Sequence, residues 1–447
     1  MSAEHQDEKY LKMTTGPVGP LITGLAIPSA IIMLITAVYN TVDTYFVSFL
    51  GTSATAATGI AFPLMTVIQA VGFFFGHGSG NYIARELGSR NHKNAARMAA
   101  TGFFSAFIAG AAIAVLGVLF LDPLVRLLGA TDTILPFARD YLRFILIGAP
   151  FMICSLMQNN LLRYQGSSFY GMIGMVGGAL VNTGLDPLFI FVFHWGTAGA
   201  SLATMLSQFI SFTVLFICSN RTDNVRIRFR YFSPSLATYR EIMRGGLPSL
   251  ARQGITSVSG VFMNHFAAVY GDAAIAAISI VQRVFMMAAS LVVGIGQGFQ
   301  PVCGFNYGAK LFPRVKDGFR FSLIAMTVPL LPLGVLGFVF APQIIALFRP
   351  DDPLLIEIGT KAFRCQCLTV PLIGWITINN MLMQTIGKAL KASFLAIARQ
   401  GLFLLPLLFL LTPFLGLTGI LIIPPVADIC TFIVSIPLSI SVFREMR

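Results

Sequence analysis

The chain has 447 residues, of which 56% are hydrophobic and 11% charged, and its mean hydropathy is +0.79. A soluble protein of this length cannot bury so much apolar surface, so the composition excludes the soluble classes and places the chain in a bilayer. A net charge of +12 would suit nucleic acid, but the basic residues gather in alternate loops, which argues for a role in membrane topology and against a nucleic-acid partner.

The first stretch, MSAEHQDEKYLKMTT, is polar and mixed in charge, unlike a signal or transit peptide, and residues 1–20 are read as a tail. Apolar segments of spanning length follow at roughly 21–49, 56–80, 98–121, 139–163, 170–193, 197–219, 246–270, 276–301, 318–343, 359–385, 392–412 and 416–443, each near the ~20 residues that a bilayer requires. Alternate loops carry Lys9 and Lys12; Arg85, Arg90, Lys93 and Arg97; Arg221, Arg226, Arg228, Arg230, Arg240 and Arg244; Lys310, Arg314 and Lys316; Lys388 and Lys391; and Arg444 and Arg447. The opposite loops are short and nearly bare, with Arg126 and Arg349 as exceptions. The positive-inside rule then predicts an even number of spans and two cytoplasmic termini. The six cysteines lie in apolar stretches, and Cys365 and Cys367 form a C-x-C that no second Cys or His pair completes, so all are read as membrane thiols.

Several polar residues interrupt these segments. Asp43 lies in YNTVDTYFVSFLG, residues 39–51, where a carboxylate is costly. It should sit roughly 10 Å below the outer surface at ~1.5 Å per residue. Asn182 and Asp186 in the fifth span are four apart and so share one face, Asp186 at a matching depth. Thr204 in the sixth span reaches that depth, and Tyr39 and Asn40 lie one turn from Asp43. Pro187 removes a backbone donor and frees the carbonyl of Thr183 beside Asn182. Carboxylate, amide, hydroxyl and freed carbonyl oxygens suit Na⁺, and the same set suits a proton, since two neighbouring carboxylates in a low dielectric do not readily ionise together.

The later spans hold Arg252, His265, Arg283, Arg399 and Asp428. Arg252 and Arg399 lie near the cytoplasmic ends and are read as snorkelling or bonding helix-end carbonyls. Arg283 and His265 fall in the outer half, where the readings are helix packing, the commoner role of a lone histidine, or a gate or substrate contact. Asp428 is expected to pair with an arginine that the sequence leaves open. Met33, Phe62, Met65, Met175, Met205, Met263, Met286 and Met287 dot the helices around the expected cleft. Most should pack the core, and such side chains also build adaptable apolar pockets, which with an acid nearby would favour lipophilic cations.

The chain repeats itself. LAIPSA at 25–30 aligns with GGLPSL at 245–250, so that Pro28 matches Pro248, an offset of 220 that also carries Phe46 onto Phe266, Gly51 onto Gly271, Gly76 onto Gly296, Gly88 onto Gly308 and Gly199 onto Gly419. Two parallel six-span halves are the architecture of secondary transporters, with the substrate path between lobes. The predicted organisation is a tail at 1–20, a first lobe at 21–219, a linker at 220–245, a second lobe at 246–443 and a tail at 444–447. GHGSGN at 76–81 lies inside a span and lacks the Lys-Ser/Thr of a P-loop, so ATP is not the expected energy source. An enzyme should show a nucleophile–base or metal set on one face, and the sequence offers none.

The six-plus-six repeat, a proline in the first helix of each half, the LGSRN and YGAKL turns, and NTGLDPLFIF in the fifth span together resemble the multidrug and toxic compound extrusion (MATE) family. Acids in the first half, and none in VSGVFMNHFAAVYG or VPLIGWITINNMLMQ, make it similar to the DinF-like prokaryotic branch. The resemblance implies an all-α polytopic membrane protein of twelve helices in two pseudo-symmetric lobes, in the inner membrane of a prokaryote. It implies an antiporter that exports amphiphilic, often cationic compounds and is driven by H⁺ or Na⁺, without a further cofactor. Asp43, Asn182, Asp186 and Thr204 match the family's first-lobe cation site, with Tyr39, Tyr141 and Asn159 as supporting positions. Met263 occupies the place equivalent to Asp43, so the second lobe lacks the acids. A monomer in the lipid bilayer would suffice, because the cleft lies within one chain. The alternative reading is a flippase of lipid-linked saccharide precursors, with Arg252, Arg283 and Arg399 lining the cleft.

Overall fold

The computed structural model describes residues 3–221, 224–348 and 350–446. Arg349 and Arg447, and the side chains of Asn40 and Arg221, lie outside what it describes. The described residues are predominantly helical, with no strand, as lipid demands of a chain whose backbone groups must be satisfied within each segment. A short helix α1 (Ala3–Thr15) precedes α2 (Val18–Ser48), α3 (Thr52–Gly88), α4 (His92–Leu119), α5 (Leu121–Leu127), α6 (Leu135–Tyr164), α7 (Ser168–Pro187) and α8 (Gly196–Arg221). The second half comprises α9 (Leu236–Ala268), α10 (Asp272–Gly308), α11 (Phe312–Val339), α12 (Ala341–Ala346), α13 (Pro353–Cys367), α14 (Val370–Thr385), α15 (Ala389–Ile397) and α16 (Leu405–Glu445).

Nine helical runs among the described residues are long and apolar enough to span on those grounds alone. Three more crossings complete the twelve. Helix α9 carries Arg240, Glu241, Arg244 and Arg252 and so falls short in apolarity. Helices α13 and α14 form one crossing broken at Leu368 and Thr369, just before Pro371, which cannot continue the ladder. The run from Ala389 to Glu445 is two crossings folded at Gly416, whose φ of 58° and ψ of −139° leave the helical region.

The repeat is visible in the backbone. Helices α3 and α10 share their bounds at an offset of 220, as do α4 and α11. Positive φ recurs at matching places: Gly51 with Gly271, Arg90 with Lys310, Gly166 with Gly387 and Gly196 with Gly416. Both termini lie on one face, here the terminal face. There Lys9 Nζ donates to Ser167 Oγ at 3.0 Å and to Asn224 Oδ1 at 2.7 Å, and Lys388 and Lys391 pair with Glu445.

Several sequence boundaries shift. The tail expected at 1–20 contains α1 and the start of α2, and the linker expected over 220–245 shortens because α9 begins at Leu236, capped by Ser235 accepting from Thr238 N at 3.2 Å. Spans expected at 56–80 and 276–301 become 37-residue helices of about 55 Å. Hydropathy stops at polar residues such as Asn81 and Asn306, which the fold buries, so α3 and α10 continue beyond the apolar layer.

The lobes meet along two pairs related by the repeat. Near the terminal face α2 packs on α10, where a side chain at Gly294 would come within 2.8 Å of Ala30 Cα and one at Gly298 within 2.6 Å of the Ile22 carbonyl. The mirror pair is α3 with α9, where a side chain at Gly245 would come within 2.9 Å of Gly78 Cα. Farther along much the same face of α9, Gly260 meets open space. The lobes are thus closed on the terminal face and part toward the other, the far face.

Candidate functional site

Helix α7 places the first polar cluster. Gly174, Gly178, Asn182 and Asp186 follow at four-residue spacing, all buried, so one face of α7 is glycine near the terminal face and polar near the far face. A side chain at Gly174 or Gly178 would strike Leu215 or Ser211, so α7 lies tight against α8, which carries Thr204 on the same buried flank. Pro187 ends the regular helix, and the chain continues as a π-helical turn, Leu188–Val192.

Asn182 Nδ2 lies 3.3 Å from both Asp186 Oδ1 and Thr204 Oγ1. Across from them the Tyr141 hydroxyl of α6 donates to Asp43 Oδ2 of α2 at 3.1 Å. Asp43 is 8% exposed and Asp186 0%, and the two lie within electrostatic reach of each other. The half-buried Tyr39 faces Thr204 and Gln208. Asp43, Tyr141 and Thr204 lie five to eight residues from the far-face ends of their helices, and Asp186 six residues from the end of the π-helical turn that continues α7, about 8–12 Å deep.

Buried oxygens remain unmatched. Among the described residues, Asp43 Oδ1, Asp186 Oδ2 and Asn182 Oδ1 find no hydrogen-bond partner, and neither carboxylate pairs with a basic side chain. Buried acceptors without donors are costly. A cluster that presents only spare oxygens is chemically complementary to protons or to a hard cation.

The other candidates are spread out. Asn159 lies eighteen residues from Tyr141 along α6, about 27 Å away, and packs against Gly171 near the terminal face, so the structure separates it from the acids. Met33, Met65 and Met205 are half-buried, and Phe62, Met286, Met287, His265 and Arg283 are exposed. Met263, the counterpart of Asp43, is buried in an apolar cluster with Phe262, Phe266 and Leu407.

Asp428 acquires its partner. Arg399 Nε bonds Asp428 Oδ1, while Gln366 Nε2 at 3.1 Å and Thr369 Oγ1 at 3.0 Å donate to Oδ2. Arg399 is therefore not snorkelling or held by helix-end carbonyls. It sits in the π-helical turn Ala398–Leu404 after α15, which widens the helix toward α16. Sequence reading also passed over Gln208, one turn from Thr204, and the inter-lobe bonds at the terminal face. There His77 Nδ1 meets Ser249 Oγ at 3.0 Å, Ser249 being held within its own lobe by Gln384 Nε2 at 2.8 Å, and Arg85 bridges Glu241 at 3.2 Å and the Thr385 carbonyl at 2.5 Å.

Two parallel six-helix lobes, closed at one membrane face and parted toward the other, with a polar cluster buried in one lobe, define a membrane transporter of the secondary type. The MatE family model matches residues 28–188 and 248–410, one match in each lobe, and the chain belongs to this family, MATE. Among curated relatives, the multidrug export protein MepA of Staphylococcus haemolyticus is 27% identical over 432 residues, covering 96% of this chain and 95% of its own. A MepA of Staphylococcus aureus is 26% identical, covering 93% and 92%. Among solved structures, a MATE transporter in the bent conformation superposes with a TM-score of 0.92 at 26% identity, over 98% of both chains. A MOP superfamily transporter from Pyrococcus furiosus, described as having a binding pocket of reverse polarity that suggests a different function, gives 0.90 at 27% identity, over 98% of both.

Proposed function

We propose that the protein is an antiporter that exports amphiphilic, often cationic organic compounds, driven by entry of H⁺ or Na⁺ at Asp43, Asn182, Asp186 and Thr204. The observation that carries this reading is the set of three buried oxygens, on Asp43, Asp186 and Asn182, that have no partner among the described residues. A proton on either carboxylate turns an acceptor into a donor, and Na⁺ would draw on the same oxygens together with Thr204 Oγ1. The basic loops support a cytoplasmic orientation of the terminal face, with the protein in the inner membrane of a prokaryote. In the conformation described, the acid cluster then lies near the outer surface, where an ion moving down its gradient arrives. Each charge supplies about 2.3 kcal/mol per 100 mV, plus the concentration term.

Neutralising the acids removes the cost of charges in the first lobe and favours a repacking of α2 around Pro28, which expels cargo from the cleft. Linkage requires the reciprocal effect, so cargo must weaken ion binding by the same factor. Cargo selection falls to Met33, Met65, Met205 and Phe62, whose soft surfaces adapt to varied shapes. The multidrug export names of the MepA relatives support this assignment. The lipid bilayer is the surrounding partner, and a single chain contains the whole path.

The test is efflux of ethidium from vesicles containing the purified protein, with pH and Na⁺ gradients imposed separately. Gradient-driven efflux should be lost in Asp43→Asn and Asp186→Asn, and efflux that survives both substitutions sinks the coupling assignment. No efflux under either gradient would instead favour a flippase of lipid-linked saccharide precursors. That reading would rest on Arg252 and Arg283, since Arg399 is taken up by Asp428.

A further inference from the structure

A second polar cluster lies where the cleft meets its closed end, and it has the opposite charge. Arg163, in the last turn of α6, is 2% exposed. Its Nη2 donates to Asn160 Oδ1 at 2.5 Å, its guanidinium lies 5.1 Å from the Tyr164 ring centre, and its Nε has no acceptor. Arg252, half-buried in the middle of α9, has no hydrogen bond or ion pair to a carboxylate among the described residues. Both guanidiniums lie within electrostatic reach of His77, itself 4% exposed and held by Ser249. No carboxylate among the described residues reaches either arginine.

Other basic side chains at comparable depth are compensated: Arg85 by Glu241 and Arg399 by Asp428. The end of α6 offers Arg163 the partial negative charge of its carbonyls, but Arg252 lies sixteen residues into its helix and receives none. Arg163 is thus a buried cation and Arg252 a half-buried one, both without a counter-charge among the described residues, which is costly. The place explains what could offset it. Ser249 and Gly245 belong to the closed α3–α9 contact, and Arg252 follows Ser249 by three residues on the same flank of α9 and is half-exposed, so the cluster borders the floor of the cleft.

We propose that Arg163, Arg252 and His77 form a subsite for the phosphate or carboxylate group of a transported amphiphile at the floor of the inter-lobe cleft. The inference rests on the transporter reading and extends its cargo from cations to amphiphiles that carry an oxyanion. Arginine forks match such groups two oxygens at a time. A cargo held by its oxyanion at the floor and by its apolar body along Met33, Met65 and Met205 would span the cleft without touching the acid cluster.

The experiment uses the purified full chain in an uncharged detergent, without any gradient, and follows thermal unfolding during titration with hexyl phosphate, hexanoate or hexyltrimethylammonium. Any shift caused by hexyltrimethylammonium, a cation of the class already assigned to the cleft, should be the same in the wild type and in Arg252→Gln, whereas hexyl phosphate and hexanoate should raise the midpoint saturably through Arg252. Arg252→Gln should weaken the apparent affinity by about tenfold or more, with Arg252→Lys keeping part of it. If Arg163→Gln does not fold, the Arg252 pair of variants still decides. An Arg252→Gln protein that responds to hexyl phosphate as the wild type does, or one whose response to hexyltrimethylammonium falls as much as its response to hexyl phosphate, overturns the proposal. Repeating the titration in phosphatidylglycerol and phosphatidylcholine nanodiscs separates the sources. Loss of the hexyl phosphate response only in phosphatidylglycerol means that a lipid headgroup fills the site, and an unchanged response means a soluble amphiphile. Asp43→Asn should bind hexyl phosphate normally, so failure of this subsite and failure of the coupling assignment give different results.

Discussion

At the scale of single residues, the acid cluster is defined by what each oxygen lacks. Asp43 accepts one hydrogen bond, from Tyr141, and keeps a buried oxygen free. Tyr141→Phe removes that bond without adding bulk or charge. The expected outcome is a coupling-ion affinity shifted by about tenfold, in line with a hydrogen bond to a charged group, with export retained. The shift is read from the dependence of ethidium efflux on external pH and Na⁺, and an unchanged dependence would place the ion elsewhere. Thr204→Val tests the other rim: it leaves Asn182 with one acceptor fewer and should weaken Na⁺-driven efflux more than proton-driven efflux, because Na⁺ needs the oxygen and a proton on Asp43 does not. The four-residue spacing of Asn182 and Asp186 is legible in the sequence, because helical periodicity is a local property. The distance of Asn159 from the acids is not, since it depends on which end of α6 meets which part of α7. Gln208 was equally silent, because only the approach of Tyr39 from α2 gives it a role.

At the scale of elements, the breaks matter more than the regular helices. Asp428 on α16 joins the α13–α14 break, through Gln366 and Thr369, to the π-helical turn that bears Arg399. One carboxylate thus holds three irregular crossings in register. Asp428→Ala strands the arginine and should lower stability by about 3–5 kcal/mol, whereas replacing both partners by leucine should recover much of that loss. Thermal unfolding of the single and double variants checks this, and additive losses would show that the pair does not act as a unit. Sequence alone supplied the expectation of an arginine partner for Asp428. It could not choose among arginines, because the π-helical turn that swings Arg399 toward α16 leaves no signature in hydropathy. The twelve crossings and their repeat were far easier to read, since apolar length and the 220-residue offset are written along the chain. The long polar ends of α3 and α10 escaped for the opposite reason: Asn81 and Asn306 look like loop residues until another helix covers them.

At the scale of the whole molecule, the closed face is held by two kinds of contact that a transporter must undo. Glycine contacts between α2 and α10 and between α3 and α9 are related by the repeat and bring backbones together without directional bonds. Polar bridges then lock the closure on one side of the pseudo-twofold: Arg85 on the first lobe joins Glu241 on α9 and the Thr385 carbonyl on α14. A second strap runs through the start of the chain, where Asn306 Nδ2 donates to the Met13 carbonyl at 3.1 Å and Arg314 Nη2 to the Gly16 carbonyl at 2.5 Å. The Arg85 and Glu241 side chains are only 17% and 23% exposed, so the bridge is less screened than a surface pair. Glu241→Gln keeps the shape and removes the charge, which should weaken the closed state by a few kcal/mol at most and raise the population open at the terminal face by about tenfold. Spin labels at Ser48→Cys and Val269→Cys, near the far-face ends of α2 and α9 and placed in a protein without its native cysteines, report the change as a distance distribution. The short-distance fraction should grow in Glu241→Gln, because opening one face closes the other when the lobes rock as units. Distributions that coincide with the wild type would show that the glycine contacts alone set the equilibrium, with the bridge following the motion instead of resisting it.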